Sequence, residues 1–396
     1  VQVDYQQFLK DGYLILREVV PPAMLDQLRA SYETLVDRKR KFWSDERGPE
    51  DPPGGVWQTA RQPRLVHFQE LIDTDTADTV EFCLHENTLG VCQQLMNVEV
   101  AANSGMFLMC SPPDEDFGPA NWHRDIHPID QAPLRGLQMD LLENRPGYLQ
   151  WNIPLYDDDV LWVVPGSHRR GNTDEENAQL TADPHVALPN SIPVELKAGD
   201  GVVYTNTILH WGSNYSTKLR RTVHLGYRSY GGPILPYVAV YYRDTSYARF
   251  LSEACQQIVE RQIEAHAKEL DLITDAYRAL LDRNEGAFLE GLTKLHPGEE
   301  GRLVTVILLS KLVYKMRFGS HPTREHYGGD WSQDADIGPR FTDEEMDTLW
   351  SRFKPLDERL QAEDEQFTPG FQSKPMHYTF EEMPDYTVED FVASWA

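Results

Sequence analysis

The periodicity of the chain changes several times. DGYLILREVV (11–20) alternates apolar and polar positions like a short strand, and Pro21-Pro22 then opens a helix through MLDQLRASYETLV. Residues 41–66 are dense in Pro, Gly and charge and read as a loop. A helical period covers 75–97, and VEVAANSGMFLMC (98–110) reads as a strand pair. From there to about Tyr242 short apolar runs are punctuated by Gly, Pro, Asn and Asp: YLQWNIPLY (148–156), VLWVVPGSH (160–168), GVVYTNTILHWGS (201–213) and RTVHLGYRSY (221–230). Such spacing predicts an all-β sandwich or barrel. Helical periods return at 245–292 and 301–316, and 320–396 carries three short helix-like patches with Trp331, Trp350 and Trp395. The sequence contains no internal repeat.

Composition narrows the class. A chain of 396 residues with 40% hydrophobic and 11% aromatic positions can bury a sizeable core, which excludes global disorder. No apolar run approaches the ~18–20 residues a membrane helix needs, and VQVDYQQFLKDGYLIL has no signal-peptide pattern, so a cytoplasmic protein without a membrane partner is expected. Cys83, Cys92, Cys110 and Cys255 are scattered, which suggests neither a zinc site nor a disulfide scaffold. The 63 acidic against 37 basic residues give −26, which disfavours a nucleic-acid partner. From Asp330 onward 17 acidic and 5 basic residues contribute −12 of that charge. The tryptophans of this acidic segment argue that it packs on the core, as a lid, or against a second copy in a homodimer.

Chemistry is concentrated in Asn121-Trp122-His123-Arg124-Asp125. In an extended segment, residues i and i+2 point the same way, so His123 and Asp125 can reach one metal together. Two imidazoles and a carboxylate, with three positions left open, form the facial triad of non-haem Fe(II) oxygenases. His210, at the end of the β-patterned GVVYTNTILH, supplies the third ligand. Ten residues later stands Arg220, whose rigid fork suits the distal carboxylate of 2-oxoglutarate, and Thr222 on the same face can add a hydroxyl. Each residue also has a plainer reading: a surface turn for His123 and Asp125, a satisfied core histidine for His210, an ordinary ion pair for Arg220. Gln150 and Asn152 share a polar face that either lines the barrel and meets the cosubstrate or faces solvent. Trp122, His127 and His224 are candidates for the substrate pocket, and Ser167-His168 reads as a turn.

His123-Arg124-Asp125, LQWNIPLYDDDVLWVVPGSH (149–168), His210-Trp211-Gly212-Ser213-Asn214 and Arg220-Arg221 resemble the phytanoyl-CoA dioxygenase family of Fe(II)/2-oxoglutarate oxygenases, as does DGYLILREVVPPAMLDQLR (11–29). The resemblance covers roughly residues 4–230. It implies a mainly β fold with helices, a double-stranded β-helix (jelly roll, cupin-like) with an N-terminal helical layer and a helical C-terminal extension. The expected organisation is an oxygenase domain over 1–242, a helical extension over 243–319 and the acidic segment over 320–396. The resemblance further implies Fe(II) on His123, Asp125 and His210, 2-oxoglutarate on Arg220, and O₂ as co-reactant. The family's His-Gly-Ser-Gly-x-Asn loop is one residue shorter here, so Arg221 stays open as the anchor. The expected reaction is hydroxylation of an unactivated C–H of a small-molecule metabolite. Halogenation is disfavoured because related halogenases replace the carboxylate that Asp125 supplies. The alternatives are a non-catalytic barrel that binds a metal or small ligand, and a 2-oxoglutarate enzyme performing desaturation, cyclisation or demethylation.

Overall fold

A computed structural model describes residues 3–60, 62–66, 68–111, 116–127, 132–215, 218–233, 243–319, 333–364, 366–371 and 378–395. Asp4 accepts from the Gln7 amide and caps α1 (Tyr5–Asp11), which stops where Gly12 turns left-handed at φ +84°. β1 (Tyr13–Leu16) follows, then α2 (Pro22–Asp45), with Pro22 at its first position as expected. α2 continues into the stretch read as a loop, which also holds α3 (Val56–Thr59) and β2 (Arg64–Val66). The helical period at 75–97 is split into α4 (Ala77–Cys83), a π turn at Glu86–Gly90 and α5 (Val91–Met96). The expected strand pair is one long strand, β3 (Ala101–Ser111), bent by a bulge between Asn103 and Gly105.

Two helices interrupt the β region against expectation: α6 (Leu134–Asn144) precedes β4 (Tyr148–Pro154) and β5 (Leu161–Val163), and α7 (Asp174–Ala182) precedes β6 (Ile192–Pro193). GVVYTNTILHWGS folds as two strands, β7 (Gly201–Tyr204) and β8 (His210–Gly212), before β9 (Arg220–Ser229). The remainder is helical: α8 (Glu253–Leu281), α9 (Glu285–Leu295), α10 (Arg302–Phe318), α11 (Gln333–Ile337), α12 (Asp343–Arg359) and α13 (Val388–Trp395). Trp331 lies outside the described residues. Among them, no helix is long and apolar enough to cross a membrane.

The strands form a six-stranded sheet ordered β1-β7-β4-β9-β3-β2 and a three-stranded sheet ordered β6-β5-β8, every pairing antiparallel. The two face each other as the expected jelly roll, which carries the site although more residues are helical than extended. Alternation within the central strand β9 decides what lies on each side. Val223, Leu225 and Tyr227 join Leu149, Trp151 and Ile153 of β4 in one apolar cluster with α2, α4 and α5. The residues between them turn toward the small sheet, where Val202, Tyr204, Leu161 and Val163 pack together. A second large core is built from α6 and α8–α13. Thus the C-terminal third packs back on the barrel, which contributes α6 together with Ile126 and Ala132 to that core.

Candidate metal centre and cosubstrate pocket

A two-residue β contact sets the geometry. His123 and His210 exchange both backbone hydrogen bonds (3.1 and 3.0 Å), so their side chains leave neighbouring edges of the small sheet on the same side. Asp125 is fixed next by its amide, which donates to the Asn206 carbonyl at 2.9 Å. The Asp125 carboxylate then lies 3.2 Å from His123 Nε2 and 3.0 Å from His210 Nε2. Two ligands in adjacent positions, each ~2.1 Å from one ion, stand about 3.0 Å apart, so this spacing suits a shared metal. One donor atom from each residue lies within 4.8 Å of the others. His123 Nδ1 sits 2.7 Å from the Asn121 carbonyl and His210 Nδ1 3.0 Å from that of Ile208. Those carbonyls accept the Nδ1 protons and turn both Nε2 atoms toward the centre, where a bound metal would take the place of a proton.

Burial acts to raise the Asp125 carboxyl, but the imidazoles of His210 and then His123 hold it well below the usual range. Gln150 approaches from behind, its amide donating to Asp125 Oδ2 at 2.6 Å. Of the two readings open for Gln150, the structure has the inward one, but its amide is spent on the Asp125 carboxylate. Asn152 does line the cavity and meets Nδ1 of His224 at 2.7 Å. His224 stacks on Phe107, and burial brings its pKa down to about 4, so it is neutral at neutral pH.

The cavity, about 140 Å³, joins the three metal-site residues to Arg220, Asn152 and His224. Arg220 enters through its buried side chain. Its Nε donates to Asp158 at 2.6 Å, while Nη1 is buried and has no partner among the described residues. An unmet buried N–H costs about 1–3 kcal/mol, so this arginine is poised for an acceptor, and a carboxylate fits the fork. Arg221 turns to the opposite face, where Nε lies 2.7 Å from Glu33 and the guanidinium is 5.5 Å from the Trp57 ring. Thr222 gives its hydroxyl to Asp158 at 2.8 Å and is therefore not the free cosubstrate donor expected from the sequence.

Two pocket expectations are corrected. Trp122 is buried in a cluster with Trp211 (ring centroids 5.3 Å apart), and its indole N–H donates to Val186 at 2.8 Å. Its place directly before His123 in an extended segment sends it to the other face. His127 is half-buried beyond Ile126, which belongs to the helical core, and does not line this cavity. His168 is a structural residue, its Nε2 3.0 Å from the Leu9 carbonyl. Sequence reasoning missed Asp158, Tyr204 and Arg64. Tyr204 lines the cavity edge-on to His210 at 5.3 Å, and its inward parity on β7 was readable. Asp158 sits in an Asp157-Asp158-Asp159 run that looks like a solvated turn, and Arg64 lay in the presumed loop.

The sequence model of phytanoyl-CoA dioxygenase matches residues 8–223, more than half of the chain. The chain belongs to the phytanoyl-CoA dioxygenase family. It is an Fe(II)/2-oxoglutarate-dependent oxygenase, and the His-Asp-His donor set and the unpartnered Arg220 nitrogen fit those two groups. A comparison with curated proteins finds no match. Similar solved structures include AviO1 from Streptomyces viridochromogenes Tue57, with 22% identity and a TM-score of 0.41, covering 60% of this chain and 100% of that one. EctD from S. alaskensis with bound Fe has 18% identity and a TM-score of 0.41, covering 57% of this chain and 75% of that one. HygX from Streptomyces hygroscopicus with nickel and 2-oxoglutarate bound has 14% identity and a TM-score of 0.40, covering 57% and 87%.

Proposed function

We propose that the enzyme hydroxylates an unactivated C–H bond of a small-molecule metabolite, with His123, Asp125 and His210 holding iron and Arg220 gripping the distal carboxylate of 2-oxoglutarate. Bound iron supplies the oxidising chemistry that accompanies conversion of 2-oxoglutarate and O₂ to succinate and CO₂. The observation that carries the reading is the Asp125 carboxylate, set within 3.2 Å of both imidazoles and braced by Gln150. It fills the place that halogenating relatives leave to chloride, which favours transfer of OH. Arg220, fixed through Nε by Asp158, orients the cosubstrate by its remaining N–H groups. Val160, Leu161 and Met109 give the cavity apolar wall that keeps water from the reacting carbon. His224, its Nδ1–H donating to the Asn152 side-chain oxygen, offers the acceptor Nε2 of a neutral ring to a substrate donor.

The test is succinate release from 2-oxoglutarate with added Fe(II), followed by a metabolite screen under ¹⁸O₂. Wild-type enzyme is expected to release succinate and add one labelled oxygen atom to its substrate, and Asp125→Ala to lose that product. Loss of two hydrogens instead would make it a desaturase or cyclase, and no succinate under any condition would make it a binding protein.

A further inference from the structure

The segment that carries two metal-site residues is pinned on both edges. His123 pairs with His210 on one side. On the other, the amide of Arg124, the residue between His123 and Asp125, donates to the Gly370 carbonyl at 2.8 Å, and Arg124 forms a parallel bridge with Phe371. Residues 366–371 therefore act as an added edge to the ligand-bearing segment, although they lie far beyond residue 223, where the family match ends. Other contacts tie the strap to the same place. The Phe371 ring lies 5.8 Å from the Arg124 guanidinium. Asn172 donates to the Pro369 carbonyl at 2.7 Å and accepts from Arg124 Nη1 through its side-chain oxygen. Arg124 itself is wholly buried and donates to the carbonyls of Thr207, Ser167 and Arg170.

The strap also reaches the second ligand-bearing segment. Gly370 adopts φ +85°, and a Cβ there would stand 3.1 Å from Leu209, the neighbour of His210, and 3.2 Å from Leu180. Glycine alone suits a left-handed residue so tightly enclosed. We infer that residues 369–371 of the C-terminal segment are positioning residues for the metal centre, holding His123, Asp125 and His210 at ligand spacing through Arg124 and Leu209. This rests on the reading of those three residues as the metal site. It assigns the C-terminal segment a role in building the site, independent of any role as a lid or dimer element.

The experiment measures Mn(II) and Co(II) affinity of the full chain without O₂, the visible spectrum of the Co(II) form, and thermal unfolding. Wild type is compared with Gly370→Val, Phe371→Ala, Phe371→Leu and Asn172→Asp, which keeps the acceptor for Arg124 but loses the donor to Pro369. Gly370→Val and Phe371→Ala are expected to weaken metal binding roughly 10- to 100-fold, as loss of residues that orient ligands does, with an altered Co(II) spectrum. Phe371→Leu should recover most of the affinity, and Asn172→Asp should weaken it in the same direction if Gly370→Val does not fold. Lowered melting temperatures with wild-type affinity and spectrum would assign the strap to stability alone and overturn the proposal. Wild-type protein that binds neither ion would instead overturn the metal reading, and the strap's role with it.

Discussion

Neighbouring residues with one chemistry hold different posts because strand alternation separates them. Arg220 and Arg221 are both buried, but Arg220 turns into the cavity with Nη1 unpartnered among the described residues, while Arg221 is matched by Glu33 on the helical side. Arg220→Gln is therefore expected to raise the KM for 2-oxoglutarate by roughly 30- to several-thousand-fold, the equivalent of ~2–5 kcal/mol for a desolvated charged contact. Arg221→Gln should leave that KM nearly unchanged and lower stability by about 1 kcal/mol, since Glu33 is partly solvated and the pair is screened. Steady-state kinetics with 2-oxoglutarate varied and denaturant unfolding of both variants separate the two effects; the opposite pattern would make Arg221 the anchor. The gathering of His123, Asp125, His210 and Arg220 around one cavity was legible because their spacing and strand parity carry it locally. Asp158 was not, since its pairing with Arg220 depends on how strands distant in sequence come together. Trp122 was misread although parity with His123 already put it on the outer face.

Elements were legible where one period ran undisturbed, as in α2, β4, β9 and α8, and less so where short segments alternate quickly. α7 carries a capping box, Thr173 with Glu176, and α6 carries Leu134, Leu137 and Leu141 at helical spacing. Both were submerged in a region whose turns and short apolar runs spoke for strands. The joint between α1 and β1 shows how one glycine couples elements. Gly12 closes α1 by donating to the Phe8 carbonyl at 2.7 Å, and its carbonyl accepts from Thr205 at the end of β7. A Cβ at this φ of +84° would lie 2.4 Å from His168 Nδ1. Gly12→Ala thus combines a left-handed alanine, about 1–2 kcal/mol, with a clash against a buried ring. Denaturant unfolding is expected to show a loss of at least ~2 kcal/mol, with the Kd for Mn(II) little changed because Gly12 touches no metal-site residue. A loss below ~0.5 kcal/mol would mean that the turn relaxes freely.

At the scale of the whole molecule, a barrel and a helical core share one chain with a large negative charge, and burial of histidines links that architecture to pH. His168 joins α1 to the loop after β5, and His266 lies on α8 beside the barrel. Burial is the main cause that brings each to a pKa of about 4, against the raising effects of the Leu9 carbonyl and Asp11 at His168 and of Asp336 at His266; Arg169 and Arg124 add to burial at His168, and Arg228 and Arg243 at His266. An unfolded histidine takes up a proton near pH 6.5. Between ~6.5 and about 4 the unfolded chain therefore binds more protons than the folded one, so stability present at neutral pH is lost as pH falls through that window. Each histidine contributes a slope of up to ~1.4 kcal/mol per pH unit. Asp158 acts in a lower window: burial raises its pKa, but Arg220, the Val160 amide and the Thr222 hydroxyl together hold it down, so its contribution is lost only below the ordinary aspartate range. Unfolding free energy measured from pH 7 to 5 should fall by roughly 2 kcal/mol for each of His168 and His266. His168→Gln keeps a neutral donor for the Leu9 carbonyl and removes the titrating ring, so its average slope over the same range should be shallower by about 1 kcal/mol per pH unit. A wild-type slope in this variant would show that His168 titrates alike in the folded and unfolded chains and that the acid sensitivity lies elsewhere.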